Sequence, residues 1–98
     1  MANIILHCYY TGAEGAARGF MEEMASSGLR DEVLREEGCI QYDYFLSAYD
    51  GCSGVLLEKW RDAEALAAHA NGEPMKKLLK VKEKFGLETR VERYELKE

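Results

Sequence analysis

This sequence predicts an α+β fold in which one four-stranded antiparallel sheet carries helices on one of its faces. Three observations lead there. Short runs of β-branched and aromatic residues alternate with segments of helical apolar period, in the order β-α-β-β-α-β. Glycines fall at most of the joints between those segments, where turns and helix ends need them. The length, 98 residues with 47% hydrophobic and 10% aromatic, supplies one core and no more, so residues 1–98 are expected to form a single domain.

The run Ile4-Ile5-Leu6-His7-Cys8-Tyr9-Tyr10 is short and β-prone, and reads as the first strand. Thr11-Gly12-Ala13-Glu14 then has the spacing of a capping box, which predicts a helix start there. Ala17, Phe20, Met21 and Met24 follow at i, i+3, i+4, i+7, with Arg18, Glu22, Glu23 and Ser26 on the other side. Gly28 suits a left-handed helix end, and 29–37 reads as a second short helical piece closed by Gly38.

Cys39 to Ala48 and Val55 to Trp60 read as two strands of a hairpin joined through Tyr49-Asp50-Gly51-Cys52-Ser53-Gly54. Asp62 is the expected N-cap of a helix over Ala63 to Ala70, which Asn71-Gly72-Glu73-Pro74 interrupts. In the next helix Met75, Leu78, Val81 and Phe85, with Leu79 beside them, form one apolar face. Lys76, Lys77, Lys80 and Lys84 form the opposite, solvated one. Gly86 caps this helix, and 88–96 supplies the last strand. The complete order is the ferredoxin-like split βαβ arrangement. Its uncovered sheet face calls for a second copy, because a chain of this size buries too little surface to be comfortable alone.

Composition removes several function classes. Lys+Arg 13 against Asp+Glu 18 gives a net charge of −5, the wrong sign for a nucleic-acid binder. No apolar run is long enough to span a membrane and no charged leader precedes one, so neither membrane nor secretion is expected. Cys8, Cys39 and Cys52 are odd in number and contain no CxxC pair. They read as reduced packing thiols in a cytoplasmic protein. Two histidines make a His-rich metal centre improbable, and glycine-rich phosphate loops, GxSxG and HExxH are absent.

Few residues are left to carry chemistry. Period-two alternation puts Leu56, Glu58 and Trp60 on one face of the third strand. A carboxylate among Leu56, Leu57 and Trp60 is costly to bury without a partner, so Glu58 is either a proton donor or acceptor, or half of an ion pair with Arg90 or Arg93. His69 projects among small and apolar neighbours. It is either a general base or a helix-end cap on a backbone carbonyl. Trp60 is core or a flat wall for an aromatic ligand. Tyr42 and Tyr44 share one face, as packing or as a cleft lining. His7, central in the first strand, either points into a cleft as a substrate-binding residue or fills the dimer interior, and the sequence does not decide its side.

Three segments carry a resemblance: Glu37-Gly38-Cys39-Ile40-Gln41-Tyr42, Leu57-Glu58-Lys59-Trp60-Arg61-Asp62 and Glu64-Ala65-Leu66-Ala67-Ala68-His69. In this order and spacing the chain resembles the antibiotic biosynthesis monooxygenase family over nearly its whole length. The resemblance implies a dimeric α/β barrel with a cleft between sheet and helices in each subunit. It also implies relatives that oxidise quinols and anthrones with dioxygen and no metal, flavin or other cofactor. In such enzymes the deprotonated aromatic substrate itself reduces dioxygen. Carried over, His69 or Glu58 accepts the proton, Trp60 and Tyr42 hold the ring, and Tyr44 donates a hydrogen bond. Two family features are missing. Gly72-Glu73-Pro74-Met75 stands where many relatives have a second histidine, and Met75 to Phe85 lacks the haem-ligating histidine of haem-degrading relatives.

The expectation is therefore a homodimeric, cofactor-independent monooxygenase acting on a quinol-like or polycyclic phenol. The alternatives are a non-catalytic dimeric ligand-binding or stress-response module, and a lactone or enol isomerase.

Overall fold

The alternating strand and helix periods give eight elements in the computed structural model, which describes residues 2–97. They are β1 (Asn3–Thr11), α1 (Ala16–Ser26), α2 (Leu29–Leu34), β2 (Cys39–Leu46), β3 (Ser53–Trp60), α3 (Ala63–Ala70), α4 (Glu73–Lys84) and β4 (Glu88–Leu96). The strands pair antiparallel throughout in the order β2-β3-β1-β4, so the expected ferredoxin-like sheet is present. The two helical stretches are each split in two, at Gly28 and at Asn71-Gly72.

Both central strands are apolar on alternate residues, and that alternation sorts the sheet into two faces. Ile4, Cys8 and Tyr10 of β1 and Leu56, Glu58 and Trp60 of β3 are buried beneath the helices. Phe20 and Met24 of α1, Val33 of α2 and Leu78 of α4 close over them. The opposite face carries His7, Tyr9, Val55 and Leu57, with Phe45 and Tyr94 at its flanks 50% and 47% exposed.

Local details depart from the sequence expectation at three places. Thr11 pairs with Ser53 and Glu88 and remains in β1, so no capping box forms; α1 starts one turn later behind Gly15, whose φ of 81° only glycine takes readily. Leu79 is 48% exposed, because each helical residue turns the side chain about 100° and Leu79 passes beyond the face held by Leu78, Val81 and Phe85. A bulge in β2 at Cys39–Gln41 leaves Ile40 out of register and 51% exposed, while Tyr42 keeps its place opposite Glu58.

The helix ends follow their residue types. The Asp62 side chain accepts the Ala65 N–H at 2.8 Å, and Pro74 sits in the first turn of α4. Gly38 has φ 84°, and a Cβ there would overlap that of Ala65, so this glycine sets how closely α3 approaches the α2–β2 turn. On α4, Lys76, Lys77 and Lys84 pair with Glu73, Glu32 and Glu23 on the solvated surface. Among the described residues no helix is long and apolar enough to cross a membrane.

Candidate active site

Strand periodicity creates the first half of the site. Glu58 and Trp60 are two residues apart on β3, and the indole Nε1–H donates to Glu58 Oε1 at 2.9 Å. The other carboxylate oxygen, Oε2, accepts from the Cys8 thiol on β1 at 3.3 Å. Glu58, only 5% exposed, thus has a donor on each oxygen, and both donors are neutral side chains. The anticipated pairing with Arg90 or Arg93 is not formed: Arg90 bonds Glu92 on the other face of the sheet. Burial, reinforced by the neighbouring Glu58 carboxylate, pushes the Cys8 thiol well above its ordinary range and keeps it a donor. Burial likewise holds the Tyr42 and Tyr44 phenols protonated.

Helix α3 supplies the second half. Its last turn lays the His69 ring on the indole of Trp60, with centroids 4.6 Å apart and planes inclined by 27°. Tyr42 meets the same imidazole edge-on at 6.0 Å. His69 Nδ1 lies 2.7 Å from Glu36 Oε2, in the turn between α2 and β2, so the helix-end backbone cap is not the role this histidine takes. His69 Nε2 is 3.9 Å from Glu58 Oε1, too long for a hydrogen bond. His69 is 1% exposed, and Nε2 has no hydrogen-bond partner among the described residues.

Glu58 and His69 line a cavity of about 390 Å3 between the sheet and helices α3 and α4. Its walls include Leu6, Leu66, Met75 and Val91, and Arg93 contributes the cation. A cavity of this size and lining, with a few convergent polar groups, suits a small, mainly apolar molecule. Among the described residues no three His, Cys, Asp or Glu side chains form a group that could hold a metal ion.

The sequence-predicted residues fall into three groups. His69 and Glu58 meet at the cavity. Trp60, Tyr42 and Tyr44 are close by on the same sheet face but lie outside the cavity wall, with Trp60 and Tyr42 packed directly behind His69. The Tyr44 hydroxyl is buried without a hydrogen-bond partner among the described residues. His7 lies elsewhere: it faces the uncovered side of the sheet, 5.2 Å from the Tyr94 ring, because its parity in β1 is opposite to that of Cys8. Sequence reasoning missed Glu36 and the donor role of Cys8. Only the cross-strand offset from Glu58 to Cys8, legible once register is known, could have signalled the latter.

Known proteins share this architecture. The pattern described as antibiotic biosynthesis monooxygenase matches residues 3–81. A conserved protein of unknown function from Bacteroides thetaiotaomicron, described as a possible oxidoreductase, is 28% identical; the match covers 97% of this chain and 98% of that one, with a TM-score of 0.83. A conserved protein from Methanosarcina mazei is 26% identical over 99% of this chain and 95% of that one, with a TM-score of 0.84. SnoaB, a cofactor-independent oxygenase from Streptomyces nogalater, shares the fold at 14% identity, with coverage of 100% and 94% and a TM-score of 0.76. No curated protein matches at a significant level. With the family pattern spanning β1 through most of α4, the chain belongs to the antibiotic biosynthesis monooxygenase family.

Proposed function

We propose that this protein is a cofactor-independent monooxygenase that oxidises a quinol-like or polycyclic phenolic molecule with dioxygen. The observation that carries the proposal is the Nε2 of His69, without a hydrogen-bond partner among the described residues and 3.9 Å from Glu58 Oε1, at the wall of a mainly apolar cavity in a chain from this family. His69 is the proton acceptor. Glu58, held by Trp60 and Cys8, stabilises the positive charge that the imidazole gains.

The chemistry then follows from the substrate. Loss of the phenolic proton to Nε2 makes the ring electron-rich enough to pass electrons to dioxygen. Oxygen adds at a ring carbon bearing hydrogen, the O–O bond breaks, and water departs with that hydrogen and the proton held by His69. One oxygen atom stays as a new carbonyl and the other leaves in water, so the substrate is oxidised and dioxygen reduced without an outside reductant. Trp60 and Tyr42 act as the rigid backing that aims His69, and Tyr44 packs edge-on against Tyr42 behind them.

The working unit in this proposal is a cytoplasmic homodimer. The uncovered face presents Val55, Leu57, Phe45 and Tyr94, an apolar surface that a second copy would cover. His7 belongs to that face, beside Tyr94 and outside the cavity lined by Glu58 and His69.

A second reading rests on the 3.9 Å approach of His69 Nε2 to Glu58 Oε1, since two adjacent proton-transfer groups also suit an enol or lactone isomerase. Dioxygen uptake with a panel of hydroquinones and anthrones, repeated under nitrogen, separates the readings. Uptake with one atom of 18O2 incorporated into the product as a new carbonyl supports the oxygenase, whereas quinone with hydrogen peroxide and no label counts against it. Turnover under nitrogen supports the isomerase, and binding without any product leaves a ligand-binding module.

A further inference from the structure

We infer that Glu36 is a positioning residue that decides which nitrogen of His69 exchanges the proton. The inference deepens the proposed proton transfer and rests on that reading for its catalytic consequence, but its structural core stands on geometry alone. Glu36 Oε2 lies 2.7 Å from His69 Nδ1, while the His69 side chain is 1% exposed and that of Glu36 19%. A carboxylate only accepts, so Nδ1 carries a proton whether the ring is neutral or cationic. Nε2 is therefore the atom that gains and loses one, and it is the nitrogen turned toward Glu58 and left without a partner among the described residues. Stacking on Trp60 and the edge of Tyr42 fix the plane of the ring, but neither contact selects a tautomer. Glu36 supplies that selection from a turn 33 residues earlier in the chain. The logic is that of a carboxylate holding a general base in its productive tautomer.

Ring 15N chemical shifts of uniformly labelled protein test this directly, with the His69 signals assigned by their loss in His69→Gln. Above the pH at which the ring becomes neutral, the wild type is expected to show the Nδ1–H form. Glu36→Gln keeps an acceptor amide oxygen and is expected to retain that form, whereas Glu36→Ala is expected to shift the ring toward Nε2–H. Turnover should follow the same order, with kcat lowered roughly tenfold or more in Glu36→Ala at little change in KM. A wild-type ring in the Nε2–H form overturns the inference without any variant or substrate. So does a folded Glu36→Ala protein with an unchanged tautomer. Because the spectra need no turnover, a failed oxygenase assay leaves this test intact.

Discussion

The indole of Trp60 does two things at once: its face stacks on the imidazole of His69 at 4.6 Å, and its Nε1–H donates to Glu58 at 2.9 Å. One side chain therefore ties the two groups of the cavity into a single unit, and neither can move far without disturbing the other. Trp60→Phe removes the donor and leaves a carboxylate oxygen buried and unpaired. Denaturant unfolding should show a loss of about 1–3 kcal/mol from that oxygen alone, and turnover should fall with it. An unchanged midpoint would mean that the indole hydrogen bond has no energetic role.

Gly38 is the point at which α3 meets the α2–β2 turn. With φ 84° and the Ala65 Cβ in the way, Gly38→Ala combines a left-handed backbone with an overlap. The expected cost is about 1–2 kcal/mol for the conformation and about 1–3 kcal/mol for the forced repacking, read from the denaturation midpoint. Gly15→Ala, with φ 81° and open space around its Cβ, should cost only the first part.

Asp62 gives a pH signature. Its hydrogen bond from Ala65 N–H, chiefly, and the adjacent Arg61 hold its carboxyl below the ordinary value of 3.8. A carboxyl depressed in the folded state contributes stability that is fully present above its unfolded pKa and is lost as pH falls through the folded one. Asp62→Ala should therefore lower Tm near neutral pH, with a gap that narrows below about pH 4 as this contribution disappears. A gap independent of pH from 7 to 2 would assign the effect to something other than the ionised cap.

The uncovered sheet face predicts an assembly. Leu57→Lys places a charge at the middle of that face, on a side chain only partly buried within one subunit. Sedimentation should show a dimer for the wild type and a folded monomer for the variant, with the far-ultraviolet spectrum unchanged. A monomeric wild type at micromolar concentration would remove the dimer from the proposal.

Much of the fold is legible in the residues because each element carries its own period and its own stop. Asp62, Pro74 and Gly86 mark helix ends by local chemistry, and the structure places them at those ends. Glu58 and Trp60 could be paired from sequence for the same reason: two residues apart on a strand means the same face. The side taken by His7 was not legible, since Ile4-Ile5-Leu6-His7-Cys8-Tyr9-Tyr10 is apolar at both parities. Thr11 misled because pairing on both sides outweighs a local cap. Glu36 was hidden by distance: a contact spanning 33 residues depends on how the α2–β2 turn meets α3, and no local period encodes it.

The central claim is that His69 Nε2 accepts the substrate proton that starts dioxygen reduction. The most direct measurement is the kcat of dioxygen uptake by wild type and His69→Gln with a quinol shown to bind both. The account predicts a fall of about 10²–10⁴-fold with binding retained. Equal rates in the two proteins, or no uptake by the wild type with a bound quinol, would contradict it.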